Sequence, residues 1–165
     1  MTRSNPEAPS AKTISLLGIP FDANSSYLRG PAQAPKAIRE ALHCDSSNLW
    51  TEDGIDLGTT NSFHDVGDLH LTDEVDAAFT LIESAVQQTL NLGHPLICLG
   101  GDHSVTYPTI KAFHVRYPNL SILHFDAHPD LYDALEGNRF SHASPFARIM
   151  EEQLARRLVQ VVFAR

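Results

Sequence analysis

With 165 residues, 42% of them hydrophobic and 19% charged, the chain has the size and composition of one globular domain with a real core. Its formal net charge of −8 argues against a nucleic-acid or anionic-membrane surface, since both need clustered Lys and Arg. No apolar run approaches the ~20 residues that cross a bilayer.

Residues 1–12, MTRSNPEAPSAK, lack the apolar centre of a signal peptide and read as a flexible lead-in. TISLLGIP (13–20) reads as a strand closed by Pro20, followed by a Ser, Gly and Pro loop (23–35) and a short helix over 36–43. Residues 44–61 are polar and irregular, and SFHDVGDL (62–69) offers a weaker strand. Val75, Ala78, Phe79, Ile82, Ala85, Val86 and Leu90 recur at helical spacing, with Thr72 as the expected N-cap and Gly93 as the stop. PLICLG (95–100) is an apolar strand. A helix follows over 106–117, which tolerates Pro108 only in its first turn. The last elements are a strand at 121–125, a helix near 145–157 and a strand at 158–162. Strands alternating with helices predict a parallel α/β sheet covered on both faces. Cys44 and Cys98 stand far apart with no CxxC. Cys98 reads as a small buried hydrophobe, and a reducing cytoplasm is the plain reading.

Two strands run into charge. The strand at 95–99 ends in GGDHS (100–104), and the strand at 121–125 in DAHPD (126–130). In open parallel sheets ligands gather at the carboxyl ends of strands, so His103 is expected beside Asp126, His128 and Asp130, with Gly100 and Gly101 turning the backbone. A phosphate loop would need the Lys of a GK[ST] sequence, and its neighbouring carboxylate would repel phosphate. A Ser-His-Asp triad through Ser104 lacks a G-x-S-x-G elbow and leaves the acidic groups without a role. A metal site uses every residue, because imidazole and carboxylate together suit Mn²⁺, Fe²⁺, Ni²⁺ or Zn²⁺. A single Asp or His at a strand end is ordinarily a cap or a solvated loop residue. Four of them at one sheet edge are not so easily dismissed. His124 precedes the strand end and reads as a packing residue or as a partner behind a ligand. His43, His64, His70, His94 and His114 read as scattered surface or loop residues. His142, in FSHASPF (140–146), is either a helix-start residue or a further member of the cleft.

GGDHSVTYP and DAHPDLYD, with NSSYLRGPAQAP, HDVGDL, EGNRFSHASPFARIME and RRLVQV, resemble the ureohydrolases, the arginase and agmatinase family. The similarity is greater to the agmatinase-like branch that includes plant-type arginases. It implies a three-layer α/β parallel-sheet fold with two Mn²⁺ ions at the sheet edge. By motif, His103 would bind one ion, His128 the other, Asp126 would bridge them and Asp130 would complete the coordination of the first ion. A bridging hydroxide would attack a small cationic guanidino substrate, agmatine or arginine in type, and release urea and an amine. His142 aligns with a proton-transfer histidine, and Tyr132 takes the place of a substrate-positioning Asn of animal-type arginases. The family commonly forms homo-oligomers. Its later Asp-x-Asp metal motif and guanidinium-gripping Glu have no counterpart before Arg165, so residues 13–165 are expected to form an incomplete domain, the N-terminal part of the fold only. A catalytically silent remnant, binding metal weakly or associating with relatives, is the alternative; arginase-like zinc deacetylases match the motifs less well.

Overall fold

The computed structural model describes residues 13–59 and 62–162. The expected lead-in at 1–12 and residues 163–165 lie outside these. Five strands and four helices alternate along the described chain: β1 (Ile14–Ile19), α1 (Ala34–Leu42), β2 (Phe63–Asp68), α2 (Val75–Leu90), β3 (Leu96–Gly100), α3 (Thr106–Arg116), β4 (Ser121–Asp126), α4 (Pro145–Glu151) and β5 (Arg157–Val162). All strand pairing is parallel, as the alternation requires.

The pairing makes two sheets: β2-β1-β3 and β4-β5. In the first, Ser15 to Ile19 of β1 run beside Leu96 to Gly100 of β3. On the other side Leu16 faces Asp65 and Leu17 faces Gly67, which leaves Val66 as the extra residue of a bulge. Gly67 takes φ +88 there, a conformation that is cheap for glycine. Arg39 of α1 donates to both Asp65 oxygens, at 2.7 and 2.8 Å, and to Asp68, so the bulge is tied to the helix.

Alternate residues of β1 face opposite layers. Leu17 and Ile19 join Ala78, Phe79, Ile82 and Val86 of α2 in the buried core. A Cβ on Gly18 would meet Asp68 and Arg39 on the side of α1. Here both faces are covered. At β4 only one is: Ile122 and His124 turn inward, while Leu123 and Phe125 are 59% and 63% exposed.

Two boundaries differ from the sequence expectations and one agrees. The residue before α2 is Glu74, with no side-chain cap, rather than Thr72. Gly93 lies past the end of α2 at φ +81 and its N–H bonds to Leu90 O, as a stop should. The last helix ends at Glu151, not near 157. Gln153 adopts φ +56 and Leu154 N bonds back to Ile149 O, which turns the chain towards β5 without a Gly or Pro to signal it. Pro108 does fall in the first turn of α3. Among the described residues no helix is long and apolar enough to cross a membrane.

Candidate metal centre

The site begins where β3 meets the main chain of Phe21. A Cβ on Gly101 would stand 1.9 Å from Phe21 O, so close approach rather than a positive φ requires glycine here. Asp102 N bonds to Phe21 O at 2.8 Å. The Asp102 carboxylate then accepts from Ser104 N (2.9 Å), Ser104 Oγ (2.5 Å) and Asn24 N (3.0 Å). Asp102 therefore builds the turn that aims its neighbour His103. Ser104 is 1% exposed and its hydroxyl is committed to Asp102, which removes it as a nucleophile.

β4 supplies the facing side. His124 and Asp126, two apart on a strand, point the same way. The His124 ring is 8% exposed and lies against Phe146, centroids 4.3 Å apart, and His103, 5.4 Å. Burial first, and His103 second, pull its pKa below the ordinary histidine value and favour the neutral ring. Asp126 Oδ1 accepts from His128 N at 2.8 Å, and that bond leads the causes that hold its carboxyl below the usual carboxylate range.

The loop after β4 returns to the same place. Asp130 adopts φ +47, which costs a non-glycine residue about 1 kcal/mol or more. It is pinned by Phe146 N to Asp130 O (3.2 Å) and Tyr132 N to Ala143 O (3.2 Å). Its Oδ2 thereby reaches His103 Nδ1 at 2.5 Å. A contact this short is a hydrogen bond with a proton between the ring nitrogen and the carboxylate oxygen, and a divalent cation, about 2.1 Å from each donor atom, would take the place of that proton. Imidazole and carboxylate are suitable donors for such a cation. The chemistry of the donor set therefore fits a borderline-hard ion.

Ligand-capable atoms of His103, His124 and Asp126 lie within 4.8 Å of one another, and theirs is the one group of three or more such residues among those described. His124 thus stands inside the cluster, where its sequence position suggested a packing residue or a partner behind a ligand; the i, i+2 spacing with Asp126 was the available signal. His128 lies at the rim, its side chain 77% exposed and Nδ1 3.5 Å from Asp126 Oδ1. An open cavity of about 590 Å³ connects His103, Asp126, His128, Asp130, Tyr132 and His142. His142 Nδ1 lies 3.0 Å from the Asn24 main-chain oxygen. A carbonyl can only accept, so the neutral His142 ring carries its proton on Nδ1 and leaves Nε2 as an acceptor. Asn24 was not singled out by the sequence, because its service is main-chain. Tyr132 stands exposed at the mouth.

The arginase family model matches residues 12–163. Arginase 1, mitochondrial, from Oryza sativa subsp. japonica is 46% identical over 155 residues, covering 88% of this chain and 45% of the relative. An agmatinase from Bacillus subtilis is 36% identical over 150 residues, covering 90% and 50%. The solved arginase from Medicago truncatula superposes with a TM-score of 0.82 at 42% identity, covering 94% of this chain and 52% of the other. The proclavaminate amidino hydrolase from Streptomyces clavuligerus superposes at 0.78 with 27% identity. The chain spans about half the length of the curated relatives it matches. One expectation is corrected by the Medicago match: only the N-terminal part of the fold was expected, whereas the three-layer parallel arginase fold is followed over 94% of this chain. By motif, fold and sequence, the chain belongs to the arginase family.

Proposed function

We propose that this chain is a catalytically silent member of the arginase family that binds one divalent cation weakly, with Mn²⁺ as the ion its resemblance implies. The observation that carries this reading is the partial cluster of His103, His124 and Asp126 among the described residues, with Asp130 held against His103. Asp126 and Asp130 together bring about −2 against about +4 for two divalent ions, with neutral imidazoles contributing nothing. One ion is balanced by this set; two are not. His103, Asp126 and Asp130 would hold it, and His128 would join from the rim. A bound divalent ion would lower the pKa of its water towards about 7. His142 would present Nε2 as an acceptor on the cavity side while Asn24 O fixes the ring. The acidic cavity attracts a small cationic guanidino compound, and Tyr132 would line the path of its alkyl chain. Association with relatives of the family is the partner this reading implies.

A second reading, a hydrolase that releases urea from agmatine or arginine, is favoured by one observation, the opening of His142 on the same cavity as the metal-capable groups. The two readings separate in a urea assay on the purified 165-residue chain with excess Mn²⁺ and either substrate. We expect no urea above the metal-only control. Sustained turnover abolished by Asp126→Asn would overturn the silent reading.

A further inference from the structure

Gln160 belongs to β5, next to His124 in the β4–β5 register. Its side-chain Nε2 lies 2.6 Å from Pro129 O and 3.1 Å from His124 Nδ1. The first contact decides which end of the amide is nitrogen. With the amide reversed, its oxygen would stand 2.6 Å from the Pro129 carbonyl oxygen, two acceptors with no proton between them. The amide nitrogen therefore faces Pro129, and its second N–H faces His124.

From this we infer that Gln160 fixes the tautomer of His124, making it a positioning residue for Asp126 rather than a metal ligand. The inference rests on the metal-site reading above and refines which members of the cluster ligate. A neutral imidazole carries one proton. If Nδ1 accepts from Gln160, the proton is on Nε2, and Nε2 has no lone pair to give a cation. Metal-ligating histidines show the opposite arrangement, with the second ring nitrogen donating to a carboxylate, a carbonyl or water. His124 has an amide donor in that place.

What Nε2 does instead follows from its surroundings. It is buried without a hydrogen-bond partner and stands 3.6 Å from Asp126 Oδ2. An Nε2 proton thus lies beside the Asp126 carboxylate, beyond hydrogen-bond distance but close enough to act on it by charge. It steers that group while Asp126 Oδ1 is held by His128 N. Gln160 also ties Pro129 to β5, immediately before Asp130. One side chain on β5, 36 residues beyond His124 in sequence, therefore governs the orientation of Asp126 and the entry to Asp130.

Long-range proton–nitrogen correlation of ¹⁵N-labelled protein reads the tautomer directly. In the metal-free wild type, we expect His124 to carry its proton on Nε2 and to keep it when Zn²⁺ is added to saturation, while the His103 signals shift. Gln160→Glu should move the proton to Nδ1, because a carboxylate can only accept. Gln160→Met should remove the preference and weaken Mn²⁺ binding by about 10-fold, the lower end for groups that orient ligands. A wild-type His124 protonated on Nδ1, or one whose Nε2 loses its proton on Zn²⁺ addition, would overturn the inference. A wild type that binds no metal would sink the metal reading instead, and the metal-free spectrum would still decide the tautomer. Neither wild-type spectrum depends on a variant folding.

Discussion

Asp22 shows how much one carboxylate does in front of the site. It accepts from Arg29 Nε at 2.8 Å, Gly30 N at 2.7 Å and Ala32 N at 3.2 Å. Through these bonds it orders the segment that begins at Asn24 and leads into α1. Burial is the largest single influence on its pKa and acts upward, but the Gly30, Arg29 and Ala32 bonds together outweigh it and leave the carboxyl below its ordinary value of 3.8. A depressed folded pKa means that this stabilisation is present above 3.8 and is lost as pH falls through the folded value. We expect Asp22→Asn to cost about 2 kcal/mol at neutral pH, the scale of hydrogen bonds to a charged group. Denaturant titrations of parent and variant should converge as the pH drops below that of the free carboxyl. A gap of constant size down to strongly acidic pH would show that the charge of Asp22 is not what matters. At this same scale, His103, Asp126, His128 and Asp130 were legible in the sequence because polar groups directly after apolar strands are costly without compensation. His124 was legible as a neighbour of the site. The proton on its ring was not, because Gln160 reaches it only through strand pairing.

The segment between β4 and α4 is held by an ion-pair ring that no motif announces. Arg139 pairs with Asp133 at 2.9 Å and with Glu151 at 2.7 Å. Arg148 pairs with Asp133 at 2.7 Å and with Glu151 at 3.2 Å. Arg148 is buried, and its Nη1 has no hydrogen-bond partner, so its charge depends on these two acids. The Asp133 side chain is 75% exposed, and an exposed pair alone contributes roughly 0–1 kcal/mol. Its service is local: it anchors the segment that carries Asp130 in its left-handed conformation. We expect Asp133→Asn to lower global stability by less than about 1 kcal/mol, while amide exchange at residues 130–133 speeds up severalfold. Unchanged exchange there would mean that the two main-chain bonds to Ala143 and from Phe146 suffice. The elements themselves were mostly legible, since each strand and helix except the last helix follows its apolar period. The early end of α4 was not: Gln153 takes its turn without a glycine, so nothing in the sequence alone marks a stop to the helical pattern.

Across the whole molecule, pairing between strands was the least legible feature. β3 and β4 both read as buried strands, and nothing in their composition says that they are not hydrogen-bonded neighbours. The structure sets them in separate sheets joined by α3. His103 and Asp130 close the distance at one end. The outward face of β4–β5 carries Leu123 and Phe125, with Val159 36% exposed opposite Leu123. Open strand edges beside exposed apolar residues favour association. The wild-type chain should therefore sediment with a concentration-dependent associated fraction. Replacing Leu123 and Phe125 together by Thr should reduce that fraction without lowering the thermal midpoint. A wild type that stays monomeric at all concentrations would show that this face is harmless.

The number of ions held by this chain bears most directly on the proposed function. Calorimetric titration of the 165-residue protein with Mn²⁺, followed in parallel by electron spin resonance of the free ion, measures it. We expect at most one ion per chain, bound weakly, with Asp126→Asn weakening it more than His128→Ala, because Asp126 stands at the centre of the cluster and His128 at its rim. Two tightly bound ions per chain, or an Asp126→Asn variant that binds as well as its parent, would contradict the one-ion site.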